Sequence, residues 1–222
     1  MDHRFYTMSV SEQNRLQVVI AVSAFVFVIF TILIAVQSGI YLIGILSFAV
    51  TLSVVAPFFD TPALKKRGKL IYYSPLFIAE KPEKGIIKIH GGTWFDYYFV
   101  IDKEMNGKQR TRFILRNYLQ GLLNLIKEFE DSGEMKVRGT SYIINERTAE
   151  KLGFRTVETD FVQKVILVYN YFNILISSSM AKRRISFPAL RKIRTFEADI
   201  RHLAECKEVI RNLNDRLGKS VI

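Results

Sequence analysis

Four cations crowd the start of one helical pattern: Lys108, Arg110, Arg112 and Arg116. A helix N-terminus is the positive end of its dipole, so each cation there costs about a few tenths of a kcal/mol. A bound anion reverses that sign, because free backbone N–H groups and guanidinium groups together hold a phosphate. The alternatives are a solvated basic face or arginines reaching phospholipid headgroups. A second basic group comprises Lys182, Arg183, Arg184, Arg191, Lys192 and Arg194, six cations within 13 residues and no acid among them. It directly follows an apolar stretch, which is the pattern of a polybasic patch on anionic lipid, at about 1 kcal/mol per cation. A plain basic surface and a nucleic-acid surface are the competing readings, the latter without an RRM, KH or zinc-knuckle motif. His90-Gly91-Gly92 resembles an esterase oxyanion loop, but the chain lacks the Gly-x-Ser-x-Gly turn that this chemistry requires. The two glycines read instead as a hairpin turn. One cysteine, Cys206, and three scattered histidines exclude an intramolecular disulfide and a His/Cys zinc site.

The elements that carry these residues follow from periodicity and punctuation. Residues 70–79 read as a strand broken by Pro75, and 86–90 and 93–101 as strands flanking the Gly91-Gly92 turn. Residues 61–69 read as a basic linker whose start Pro62 keeps non-helical. Residues 109–131 place Phe113, Tyr118, Leu119, Leu122, Leu123, Ile126 and Phe129 at helical spacing, with Gly133 as the stop. A strand over 135–144 leads to a short helix over 145–152, capped by Asn145 and stopped by Gly153, and then to a strand over 154–157. Residues 161–180 are apolar but hold Gln163, Lys164, Asn170 and Asn173, which fits an interfacial or buried helix rather than a membrane span. Residues 194–217 read as an amphipathic helix, packed on its own domain or forming an oligomer seam.

The run Gly139-Thr140-Ser141-Tyr142-Ile143-Ile144-Asn145-Glu146-Arg147-Thr148-Ala149-Glu150-Lys151-Leu152-Gly153-Phe154, with the helix before it, resembles the C-terminal half of the GNAT acyltransferase fold. The resemblance covers about residues 94–160. It rests on Asn145 opening a short helix that Leu152-Gly153-Phe154 closes. It implies a splayed pair of parallel strands above a helix whose N-terminus binds acyl-CoA pyrophosphate. Arg110 and Arg112 fall where the family's pyrophosphate loop stands. This chain has Asn106-Gly107-Lys108-Gln109-Arg110-Thr111-Arg112 there, without the family's glycine pair. On this resemblance Tyr142 is the candidate general acid for the leaving thiolate, and Glu146 or Glu150 the candidate base. Lys108, Arg110, Arg112, Arg116 and Asn145 are the candidate cofactor contacts.

Composition locates the chain more firmly than it assigns an activity. No charged residue occurs from Gln17 to Phe59. Residues 18–36 form 19 uncharged positions, about 28 Å as a helix against the ~30 Å of a bilayer core. Residues 40–59 match them, with Gln37-Ser38-Gly39 between. Lipid demands internal partners for every backbone amide, so two helices in a hairpin are expected. The length of the run and the immediate second span exclude a signal peptide. Lys65, Lys66, Arg67 and Lys69 follow the second span, and no cation stands in the connecting turn, so both termini are expected in the cytosol.

Setting Arg4 and Arg15 aside leaves 30 of the 32 Lys and Arg in residues 61–222, against 18 of the 21 acids. The body beyond the hairpin is therefore strongly basic and suits anionic partners. The expected organisation is a tail over 1–16, a transmembrane hairpin over 17–59, a basic mixed α/β (α+β) domain over 61–193 and the amphipathic helix over 194–222. Three functions remain open: a membrane-anchored binder of anionic lipid, a phosphorylated ligand or a protein; a tethered acyltransferase using acyl-CoA; and an oligomeric pore, for which Gly44, Ser47, Ala21 and Ala24 permit close helix contact.

Overall fold

The computed structural model describes all residues except 1, 2, 142, 143, 145, 191, 192 and 220–222. In chain order the elements are α1 (Arg4–Thr7), α2 (Val10–Ser38), α3 (Tyr41–Val55), α4 (Pro57–Lys66), β1 (Leu70–Ser74), β2 (Phe77–Glu80), β3 (Ile86–Gly91), α5 (Trp94–Val100) and α6 (Gly107–Phe129). There follow β4 (Lys136–Ser141), α7 (Glu146–Lys151), β5 (Arg155–Val157), α8 (Phe161–Tyr169), α9 (Tyr171–Lys182), β6 (Arg194–Asp199), α10 (Ile200–Glu205) and α11 (Lys207–Lys219). The class is α+β, as expected.

The uncharged run forms an antiparallel pair of helices, and Val10–Ser38 and Tyr41–Lys66, the latter being α3 continued by α4, are each long and apolar enough to cross a membrane. Ser9 and Glu12 form a capping box that starts α2 well before its apolar part. Gly39 ends α2 in the left-handed region at φ 70°, as the tight turn requires. The apolar side chains of the pair point outward: Phe25 is 66% exposed and Leu42 60%. Between the helices the small Gly44 meets Ala35 and Ile32. The stretch expected as a non-helical linker is helical as far as Lys66, with Pro62 inside α4. Proline has no N–H to offer the carbonyl four residues back, and the Phe58 carbonyl accepts instead from the Gln17 side-chain amide at 2.8 Å.

The sheet has the order β1-β2-β3-β4-β6-β5. β3 and β4 run parallel and are joined through α5 and α6; the other neighbours are antiparallel. The β3–β4 ladder stops at Ile89 and Gly139, while β3 continues to Gly91 beside β2 and β4 to Ser141 beside β6. One face of the sheet is covered by α6, α10 and α11. There Phe77, Ala79, Ile87, Val137, Phe196 and Ala198 meet Leu122, Leu125 and Ile126. Gly121 lets α6 lie directly against the Phe77 side chain, where a Cβ would overlap the ring. The outer face carries Lys88, His90, Lys136, Arg138 and Arg155.

Three expectations are corrected. Residues 93–101 are a helix, not a strand, because Thr93 and Asp96 cap its first turn; Gly91-Gly92 is therefore a strand-to-helix corner and not a hairpin. Residues 70–80 form two strands, Pro75 lying in the turn between them. Residues 194–199 are the inserted strand β6, so helix begins only at Ile200. Phe196 and Ala198 join the main core on one face of the strand while Thr195 and Glu197 are buried on the other, the two-residue alternation of a strand covered on both faces.

Glu197 supplies the outer face with its one deeply buried acid among the described residues. It bonds Arg138 Nε at 2.9 Å and Arg155 Nη2 at 3.0 Å, with Lys136 Nζ 3.5 Å away. The Arg138 and then the Arg155 hydrogen bonds pull its pKa from the usual 4.5 down to about 2. A depressed carboxylate stabilises the fold above its unfolded pKa and loses that contribution as pH falls through its folded one. The urea midpoints of wild type and Glu197→Gln should therefore differ most above about pH 4.5 and converge toward pH 2. A pH-independent difference would refute the assignment.

Candidate functional site

The base of the apolar hairpin is where charge and burial meet. Asp96, on the first turn of α5, is fully buried. Its Oδ2 accepts from the Thr93 backbone N–H at 2.7 Å and hydroxyl at 2.9 Å. Its Oδ1 accepts from Tyr72 Oη at 2.6 Å and lies 3.0 Å from His3 Nε2. A carboxylate enclosed by four donors is stable away from water because each donor replaces a lost hydration bond. Burial first, and then the Asp96 charge, push the Tyr72 phenol far up, so it stays a donor. Burial likewise raises Tyr6, whose hydroxyl lies 3.3 Å from that of Tyr72. Lys65 Nζ sits 3.3 Å from the centroid of the Tyr6 ring, a cation–π contact worth about 0.5–2 kcal/mol.

The segment ahead of α2 is held to the body by this cluster. Arg4 donates to the carbonyls of Phe99 at 2.6 Å and Tyr98 at 2.9 Å, a cation at the negative end of α5. Phe5, Phe58, Phe95 and Phe99 form a separate buried aromatic cluster. Trp94 Nε1 donates to the Val54 carbonyl at 2.8 Å. The start of the chain and the α+β body thus occupy the same end of the hairpin. None of this was among the expected site residues. The signal available in the sequence was Thr93-x-x-Asp96, a capping-box spacing hidden in an aromatic run.

The start of α6 carries the expected cations, but in two groups. Lys108, Arg112 and Arg116 follow an i, i+4, i+8 file, and the Arg116 guanidinium lies against Gly218 of α11. Arg110 turns the other way and donates to the carbonyls of Met105 at 2.9 Å, Lys103 at 3.0 Å and Met180 at 3.0 Å. Gly107 lies directly against the Lys182 carbonyl, and Thr111 Oγ1 is 3.5 Å from that of Ala181. The carbonyl end of α9 therefore faces the N–H end of α6, so opposite dipole ends meet. Burial lowers the Arg110 pKa, and Arg183 nearby lowers it further.

The residues nominated for catalysis are not all described: Tyr142 and Asn145 lie outside the described residues. Glu146 opens α7, half-exposed, and accepts from Arg194 Nε at 2.9 Å. Arg194 consequently belongs to β6 and this ion pair, rather than to one patch with Lys182, Arg183 and Arg184. Those three are exposed at the end of α9, where Lys182 Nζ bonds Ser186 Oγ at 2.8 Å. Arg191 and Lys192 lie outside the described residues.

Outside the hairpin, apolar side chains are exposed on α8 and just after the basic end of α9. On α8, Phe161 is 78% exposed, with Val162, Val165, Ile166 and Tyr169 beside it; Ile185 and Phe187 follow α9 at 79% and 73%. The expected single apolar stretch is thus two helices, broken at Asn170. Ser53 of α3 donates to the Tyr169 carbonyl at 3.1 Å, tying α8 to the hairpin. No His/Cys/Asp/Glu grouping among the described residues has metal-site composition. No family model, curated protein or solved structure matches the chain.

Proposed function

We propose that this is an integral membrane protein whose basic α+β domain rests on the cytosolic leaflet and binds anionic lipid there. The observation that carries the reading is the exposed apolar face of α8, bonded through Tyr169 to a helix of the hairpin and followed by Lys182, Arg183, Arg184, Ile185 and Phe187. An apolar helical face joined to an apolar hairpin is costly in water and favourable at an acyl-chain boundary. Cations at the end of α9, next to the exposed Ile185 and Phe187, suit phosphate headgroups. Both termini then lie in the cytosol, in keeping with Lys65, Lys66, Arg67 and Lys69 at the end of the second span.

The full chain in lipid nanodiscs tests this. Phe161→Trp in a Trp94→Phe background should be quenched by brominated acyl chains. Neutralising Lys182, Arg183 and Arg184 to Gln should lower the preference for anionic over zwitterionic lipid about a hundredfold, at roughly 1 kcal/mol per cation. An unquenched indole, or an unchanged lipid preference, overturns the reading.

A second reading, a tethered acyltransferase similar to the GNAT family, is supported by one feature. β3 and β4 are parallel, are connected through α6, and lose their ladder beyond Ile89 and Gly139. Saturable acyl-CoA binding by the solubilised chain, weakened in Arg112→Ala, separates it from the first.

A further inference from the structure

We propose that a groove behind α8 holds one acyl chain of an anionic amphiphile, with the head group at Lys164. The proposal rests on the membrane-surface reading above and gives that surface a specific ligand. The groove has a volume of about 630 Å³, inside the roughly 300–1,000 Å³ typical of small-molecule sites. Its apolar lining is Val157 from β5, Leu167 and Val168 from α8, and Leu190 and Ile193 from the segment entering β6. Its polar rim is Thr156, Glu158, Thr159, Lys164 and Arg194.

Three observations point to an amphiphile rather than to a water-soluble ligand. First, α8 has two apolar aspects. Phe161, Val162, Val165, Ile166 and Tyr169 are exposed, while Leu167, which is part-buried, and Val168, itself 64% exposed, line the groove with Lys164. Second, α8 has no buried residue, and its last residue is bonded to α3 through Ser53. A helix with lipid on one side and an apolar trough on the other gives an acyl chain a lateral path out of the leaflet. Third, the rim's charge favours an anion. Arg194 is engaged by Glu146, and Glu158 is the rim's single acid. Lys164 is exposed and forms no ion pair among the described residues. A carboxylate or phosphate head group at Lys164 would be partnered while its chain covers apolar surface otherwise left in water.

The test uses the full chain in phosphatidylcholine nanodiscs and three photoactivatable single-chain probes with a diazirine near the chain end: palmitate, lysophosphatidate and an uncharged monoacylglycerol. The first two should label Leu167, Val168, Leu190 or Ile193, and the uncharged probe should label them weakly. Excess inorganic phosphate should leave the labelling unchanged, which separates an amphiphile from a free anion. Leu167→Trp, which fills the trough, should cut labelling about tenfold, and the surface change Lys164→Gln should weaken the anionic probes about fivefold. The second variant keeps the test decisive if the first does not fold. Labelling confined to Phe161, Val165 and Ile166, or indifferent to both variants, overturns the groove while leaving α8 at the bilayer. Labelling at neither place, together with no quenching of Phe161→Trp, overturns both.

Discussion

Asp96→Ala is expected to detach the segment preceding α2 from the body and to destabilise the protein by about 3–5 kcal/mol, the range for removing one partner of a buried charged cluster. The substitution leaves Tyr72 Oη, His3 Nε2 and both Thr93 donors facing a space that alanine cannot serve. It also removes the cap of α5. Hydrogen exchange in detergent should show lost protection over Arg4–Thr7 and Trp94–Val100, with the sheet less affected. Tyr72→Phe, which removes one bond, should cost only about 1 kcal/mol. If residues 4–7 keep their protection in Asp96→Ala, the cluster is not what holds them.

Leu125→Ala should cost about 2–5 kcal/mol by opening a cavity under the sheet. Leu125 is fully buried in the main core, among residues of α6, α10, α11 and the sheet. The loss should therefore appear as a lower urea midpoint of the whole α+β body. The two sites meet through α5, which sends Tyr97 and Val100 into the main core and Phe95 and Phe99 into the aromatic cluster, and through β1, which carries Tyr72 at Asp96 and Tyr73 in the main core. Combining Asp96→Ala with Leu125→Ala should then be additive within about 0.5 kcal/mol. A larger coupling would mean that α5 or β1 transmits strain between the two sites.

The hairpin and α6 were legible because their signals are local: an uncharged run of fixed length and a helical apolar stripe. Gly133 and Gly153, both at positive φ, were legible as helix stops for the same reason. α5 was misread because its residues are aromatic or β-branched and favour strands individually, while a single capping carboxylate turns them helical. β6 was misread because Phe196 and Leu203 also satisfy a heptad; the alternation Thr195, Glu197, Asp199 was the better signal. The His3–Asp96 contact spans 93 residues, with four helices and three strands between. No pattern in a single sequence marks such a pair, and the Arg110 contact with α9, 70 residues away, was hidden likewise.

At the foot of the hairpin Arg4 ties the segment ahead of α2 to α5, Gln17 ties α2 to α4, and Trp94 ties α5 to the end of α3. A spanning helix adjusts to bilayer thickness by tilting, and packing against neighbours together with interfacial anchors sets that tilt. Here each of these polar ties would have to stretch, so a thinner or thicker bilayer would reach α5 as torque instead of being absorbed at a joint.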